Sequence, residues 1–389
     1  MIARRWDGRR LGAALLAAAL ASHLATVLVT LAGIGRGTAG LFSFTVYRRA
    51  ALAWWAGDKL YTPGPHGFLY LPVAAVLFTP FAFLGPVAGA ALWCVLSATL
   101  YLSGLVRLAR LAAPGSSLAV AVALLVCWAA LEAVIANGQA QIAMTGLLLH
   151  GIAELARGRA WRSAMLLALA VALKPLAIAT ALTAGALYRP LRLPLAACGM
   201  ALLLLPLLRP DPGFAVAEYG AALAKLQVAG APAPTDWFSY PDIAALLHVA
   251  GLTLSAPAQL ALRIVAAVAT LVLAWHARRR PAGGGALALA ALTLVYLTLF
   301  NPRIESQTYV ALAPALGVGA GMLLARLPAS AWGWLLAAGG IALGIVWGDA
   351  IDCWLKPLLA TAYLGVLAAA VLCEAVPLLP RRSTPERAA

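Results

Sequence analysis

The chain has 389 residues, 63% of them hydrophobic and only 11% charged, with a formal net charge of +15. Soluble domains are close to half apolar and a quarter charged, so this composition excludes a soluble enzyme and predicts an all-α polytopic membrane protein. The Lys and Arg are scattered in twos and threes at the ends of apolar runs, as topology signals are, which excludes a phosphate-tracking surface and a nucleic-acid partner.

A span takes about 20 apolar residues, so the length allows roughly ten to thirteen. Arg4, Arg5, Arg9 and Arg10 precede an apolar run over residues 11–34. That run is longer than the apolar core of a signal peptide and is read as an uncleaved first span with its basic end in the cytoplasm. Residues 41–86 stay on the outer side as interfacial helices and a loop. Residues 87–106 come back in to Arg107 and Arg110, and 118–135 go out to an Asn137-Gly138-Gln139 turn. Residues 142–156 return to Arg157, Arg159 and Arg162. Two short helices, 161–173 and 176–188, meet at Lys174-Pro175 and end at Arg189 and Arg192.

Residues 193–208 go out to a loop over 209–242, with a short interfacial helix at 243–252. Residues 260–275 run in to Arg278, Arg279 and Arg280, and 286–300 go out to Asn301-Pro302-Arg303. The last three spans are 310–324, 331–347 and 358–377, ending at Arg381 and Arg382. The scheme has twelve spans with both termini cytoplasmic, in the cell membrane. It is one integral domain: a first span (1–34), an outer loop (35–86), central spans with short broken helices (87–208), a second outer loop (209–254) and C-terminal spans (255–389). Most basic residues then lie inside, as the positive-inside rule asks, and making 68–84 a full span would invert every later cluster.

The ionisable and amide residues gather on the outer turns: Tyr47, Arg48, Asp58, Tyr61, His66, Tyr70, Glu132, Asn137, Gln139, Lys174, Arg303 and Glu305. Such groups near hydrocarbon are costly and mark a pathway or a water-lined site. Lys174 sits at a break between two helices too short to cross a relaxed bilayer; it either holds a phosphate as a point charge or snorkels to the interface. Arg303 either clamps a phosphate bidentately or anchors a helix end. Asn137-Gly138-Gln139 is a turn signal whose amides also suit a sugar. Glu132 is either an acid of raised pKa or a structural hydrogen-bonding partner. Residues 46–56, with Arg48, Arg49, Trp54 and Trp55, read as an interfacial amphipathic helix.

His66 has no second His or acid at ligand spacing, so no metal and no cofactor is expected. The five cysteines (Cys94, Cys127, Cys198, Cys353, Cys373) lie mostly in apolar runs without CxxC spacing and read as core residues. No Walker, GxSxG or HExxH motif occurs.

Taken in order, the short motifs resemble glycosyltransferase family 87. They are Val46, Tyr47, Ala50 and Ala51 with Gly57, Leu60 and Tyr61; then Tyr70, Pro72, Ala74, Ala75, Leu77, Phe78 and Pro80; then Asn137-Gly138-Gln139; then Arg157-Gly158-Arg159 ahead of Ala170, Leu173, Lys174 and Pro175; and finally Asn301-Pro302-Arg303. The resemblance spans roughly residues 40 to 320. It implies a GT-C-like bundle of about twelve transmembrane helices, its active face outward and roofed by interfacial helices of the first outer loop. It implies a donor in which a polyprenyl-phosphate carrier bears mannose or another hexose or pentose, and a glycan or glycolipid acceptor.

The implied mechanism is an inverting displacement in which a carboxylate deprotonates the acceptor hydroxyl and basic residues hold the carrier phosphate. Lys174, Arg48 and Arg303 take the phosphate role, with Tyr47, Tyr70, Asn137 and Gln139 as further binding residues. The chain departs from the family at Ser43, where the resemblance expects Asp, and at Leu71, in the middle of an expected Y-P-P. Asp58 and Glu132 are the substitute catalytic carboxylates. A lipid-carrier flippase or transporter stands as an alternative, as does a GT-C-fold partner that has lost catalysis, because serine cannot serve as a carboxylate base.

Overall fold

Inside a bilayer every backbone N–H and C=O must find its partner within the protein, which restricts an apolar chain to helices or a closed barrel. Runs rich in Ala and Leu, the best helix formers, select the helix. The computed structural model describes residues 8–64, 66–230, 240–280, 283–301 and 304–373, and these are helical with no strand among them.

The chain opens with α1 (Gly8–Gly35), followed by α2 (Phe42–Ala56) and two single-turn helices, α3 (Pro72–Leu77) and α4 (Thr79–Phe83). Then come α5 (Pro86–Ala112), α6 (Ser117–Ile135), α7 (Ala140–Ala156), α8 (Ala160–Leu173), α9 (Ile178–Leu187) and α10 (Arg192–Leu204). The second half holds α11 (Pro212–Gly230), α12 (Ile243–Val249), α13 (Ala256–Ala277), α14 (Gly284–Leu299), α15 (Ala313–Arg326), α16 (Ala331–Gly344) and α17 (Asp349–Cys373). A 3-10 turn, Ser306–Ala311, leads into α15.

Among the described residues, seven helical segments are long and apolar enough to cross a membrane, and five shorter apolar helices of 10–17 residues, including α7, α8 and α14, accompany them. Within the described residues, each of the twelve apolar runs read from the sequence contains a helix; residues 374–377 of the last run lie outside the described residues. The chain is a membrane protein.

The helices that are apolar all round form the centre, as that pattern requires: α7, α14 and α15 are buried over almost their whole length, and α6 over most of its own. Lipid tails are as apolar as leucine, so helices associate here by close approach at small residues. A Cβ on Gly146 of α7 would stand 2.5 Å from the backbone of Leu100 in α5, and one on Gly321 of α15 would fall on the Ala119 carbonyl of α6. α1 packs outside this centre, tied to it by His23, whose Nε2 donates to the Leu124 carbonyl at 3.0 Å.

Two stretches differ from the sequence reading. Residues 209–242, expected as a loop, contain the 19-residue helix α11. The Pro and Asp residues at 210–212 resemble a turn, but they form the helix start, where Asp211 accepts the Phe214 N–H at 3.1 Å. The last helix begins at Asp349, nine residues before the expected start at 358, and runs through Pro357. Asp352 and Lys356 can lie inside it because they pair with each other at 3.6 Å, both fully buried.

Candidate active site

The site is assembled around the turn between α6 and α7. Gly138 takes φ 67°, the left-handed conformation that favours glycine, and the Trp93 indole donates to its carbonyl at 2.9 Å. The start of α2 docks on this turn: Leu41 N–H donates to the Ala136 carbonyl and Ser43 N–H to the Asn137 carbonyl, each at 3.2 Å. Leu41 itself is the only non-glycine residue with positive φ among the described residues, at 41°. Such strain persists where the surroundings over-determine a conformation, and here it fixes the entry of α2 into the site.

A cavity of about 900 Å³ lies beside this junction. That is at the upper end for small-molecule sites, which run from roughly 300 to 1,000 Å³. One end is polar, lined by Ser43, Tyr47, Tyr70, Gln139, Lys174 and Glu305, with His66, Asn301 and Thr308 beside them. The other end is apolar, lined by α9 and α13 with a contribution from Leu226 and Ala229 of α11. Ile178 and Leu182 of α9 and Val268 of α13 line it while remaining 48%, 63% and 56% exposed, so this end reaches the surface of the helix bundle.

The polar end is a connected network. The Tyr47 and Tyr70 hydroxyls hydrogen-bond at 2.9 Å, and Ala140 N–H donates to the Tyr47 hydroxyl at 3.2 Å. Burial, opposed by these hydrogen bonds, pushes the Tyr47 hydroxyl above the usual tyrosine range; burial and the neighbouring Tyr47 push Tyr70 well above it. Both therefore remain neutral hydrogen-bonding groups. Gln139 Nε2 donates to Gln307 Oε1 at 2.6 Å and to Glu305 Oε2 at 3.2 Å, and Asn137 Nδ2 donates to the same Gln307 oxygen at 3.1 Å.

Lys174 enters where α8 stops. Pro175 cannot continue the α8 ladder, so Lys174 is extended (φ −148°, ψ 113°) and the chain restarts through a 3-10 turn, Pro175–Ala177. Its ammonium makes no hydrogen bond or ion pair among the described residues, and Glu305 attracts it through space.

The roof is held by α11. Glu218 accepts the Leu60 N–H at 2.9 Å, and Lys225 Nζ donates to the carbonyls of Thr62, Gly64 and His66 at 2.7, 2.6 and 2.6 Å. Arg209 stacks 4.2 Å from the Phe214 ring and 5.0 Å from the Trp54 ring, and donates to the Trp54 carbonyl at 2.8 Å.

The structure thus brings Tyr47, Tyr70, Gln139 and Lys174 to one cavity, with Asn137 one hydrogen bond behind, its Oδ1 accepting the Ser43 N–H at 3.3 Å. Arg48 lies beside the cavity wall, its Nε bonding the Ala82 carbonyl at 3.2 Å and tying α2 to α4. Asp58 and Glu132 are exposed and do not line the cavity. Arg303 falls outside the described residues. Ser43 does line the cavity, at the place where the resemblance expects a carboxylate. Glu305 was visible in the sequence only as one polar residue on an outer turn, two positions past Asn301-Pro302-Arg303; its meeting with Gln139 joins residues 166 positions apart.

The site is thus a pocket inside a helical membrane protein, with a polar, ionisable end and an apolar end. Consistent with this, a model of glycosyltransferase family 87 matches residues 68–302, and the chain belongs to that family. It is therefore a membrane glycosyltransferase. No curated protein matches the chain.

Proposed function

We propose that the protein transfers a sugar from a polyprenyl-phosphate carrier to a glycan or glycolipid acceptor on the outer face of the cell membrane. One observation carries this reading: a single cavity has a cation and a carboxylate at one end and exposed apolar walls at the other. A soluble nucleotide-sugar would leave those walls wetted, whereas a prenyl chain covers them.

α9 has only 10 residues, about 15 Å of helix against a hydrocarbon core of about 30 Å, so its length leaves a lateral entrance at membrane depth. In this reading the chain lies between α9 and α13, and the phosphate sits at Lys174, whose charge offsets the negative charge that builds on the leaving phosphate. The sugar lies toward Tyr47, Tyr70 and Gln139. The acceptor oxygen attacks the anomeric carbon opposite the phosphate, with inversion. In this reading the polypeptide crosses the membrane twelve times with both termini inside, and the pocket faces outward.

The test is transfer by the purified protein in liposomes. Polyprenyl-phosphate mannose and a panel of other polyprenyl-phosphate hexoses and pentoses serve as labelled donors, with membranes lacking the protein as acceptor source. Label appearing in acceptor with one donor supports the reading. Carrier crossing the bilayer without sugar transfer favours a flippase, and carrier binding without transfer favours a non-catalytic partner.

A further inference from the structure

We propose that Glu305, on the connection between α14 and the 3-10 turn Ser306–Ala311, is the general base of this transfer; the inference rests on the glycosyltransferase reading above. Three observations carry it. Glu305 is the only acidic residue lining the cavity among the described residues. Ser43, on another wall of the same cavity, has no carboxylate to offer.

The third observation is how the carboxylate is held. Gln139 Nε2 bonds Oε2 at 3.2 Å, and Gln139 is itself fixed by Gln307 at 2.6 Å. Oε1 has no hydrogen bond among the described residues, so one oxygen is oriented while the other is open to a donor in the cavity. Glu305 is exposed and lines that cavity, so a substrate hydroxyl can reach its carboxylate. The Gln139 Oε1 atom, buried and without a donor among the described residues, lies on the same amide and offers a second acceptor for a substrate hydroxyl.

In the step this arrangement supports, Glu305 takes the proton of the acceptor hydroxyl as its oxygen forms the bond to the anomeric carbon. The bond from that carbon to the phosphate oxygen breaks, and its electron pair leaves with the polyprenyl phosphate beside Lys174. Glu305 ends protonated and returns its proton to solvent through the cavity. The base has thus moved from the start of α2 to another wall of the same pocket, and the chemistry is preserved with a serine at position 43.

The experiment compares the parent protein with Glu305→Gln in liposomes, using the labelled polyprenyl-phosphate sugar that the parent accepts. Loss of a general base lowers kcat by roughly 10²–10⁴-fold. The expected result is a fall of at least about 100-fold in kcat, with KM for the carrier little changed. The rise of rate with pH seen in the parent should be absent. Ser43→Asp introduced into Glu305→Gln should return activity, because position 43 faces the same cavity.

A Glu305→Gln rate close to the parent's overturns the assignment, as does a lost rate that keeps the parent's rise with pH, which would point to His66. If Glu305→Gln does not fold, Gln139→Ala decides. Removing the donor that orients Oε2 should lower kcat more than it raises KM for the carrier, and a kcat equal to the parent's overturns the proposal. Absence of transfer by the parent with every donor brings down the glycosyltransferase reading itself; parent activity with an equally active Glu305→Gln brings down only the base.

Discussion

Lys356→Met tests how the floor of the site is supported. Lys356 and Asp352, one turn apart on α17, are both fully buried at 3.6 Å from each other. That distance is too long for a hydrogen bond, so the pair is held by charge while the Lys356 ammonium donates to the Ser306 carbonyl at 3.0 Å. It also lies 5.8 Å from the Tyr309 ring, and Tyr309 in turn donates to the Pro241 carbonyl at 2.7 Å. Methionine fills nearly the same volume but leaves the Asp352 charge uncompensated and the Ser306 carbonyl without its donor.

Removing one member of a buried pair costs about 3–5 kcal/mol. A loss near 4 kcal/mol is roughly a 10³-fold change in the unfolding equilibrium. The double variant Lys356→Met/Asp352→Leu removes both charges together and should recover most of this, leaving a cost below about 2 kcal/mol. The assay is reversible unfolding in mixed micelles titrated with dodecyl sulfate, with sugar transfer measured in parallel because Ser306 adjoins Glu305. A single variant within about 1 kcal/mol of the parent, or a double variant as costly as the single, refutes the reasoning.

Other outcomes are equally open to measurement. Gly138→Ala puts a Cβ 2.8 Å from Phe44 in a left-handed turn, so it should cost at least about 1–2 kcal/mol and lower transfer by displacing Asn137 and Gln139; parent-like unfolding and rates would contradict this. Lys225→Met removes three hydrogen bonds to the loop carrying His66, so protease nicking near residues 62–67 should increase and KM should rise more than kcat falls. Folded Tyr47 and Tyr70 have pKa values above the unfolded value of about 10. Their contribution is therefore complete below about pH 10 and is lost as pH climbs toward the raised folded values. Unfolding followed from pH 9 to 12 should show this decline, flattened in Tyr47→Phe/Tyr70→Phe.

Much of the fold was legible because bilayer helices carry their signal locally. Within the described residues each apolar run contains a helix, the Asn137-Gly138-Gln139 turn forms as its composition signals, and Lys174-Pro175 breaks the chain where proline must. α11 was hidden because residues 209–213 have the composition of a turn. The early start of α17 was hidden because Asp349, Asp352 and Lys356 interrupt the apolar composition there, although the i,i+4 spacing of Asp352 and Lys356 is that of a pair.

The site was legible in part for the same reason. Tyr47, Tyr70, Gln139 and Lys174 stand at motif positions. Glu305 is set by tertiary packing, which brings the turn after α14 against the α6–α7 turn, and no local pattern distinguishes it from the exposed Asp58 or Glu132.

The most direct measurement is an electron cryomicroscopy structure of the protein with a polyprenyl-phosphate sugar bound. The account predicts the phosphate at Lys174, the prenyl chain between α9 and α13, and the anomeric carbon facing Glu305. A carrier whose phosphate lies away from Lys174, or whose chain leaves the protein by another groove, would contradict it.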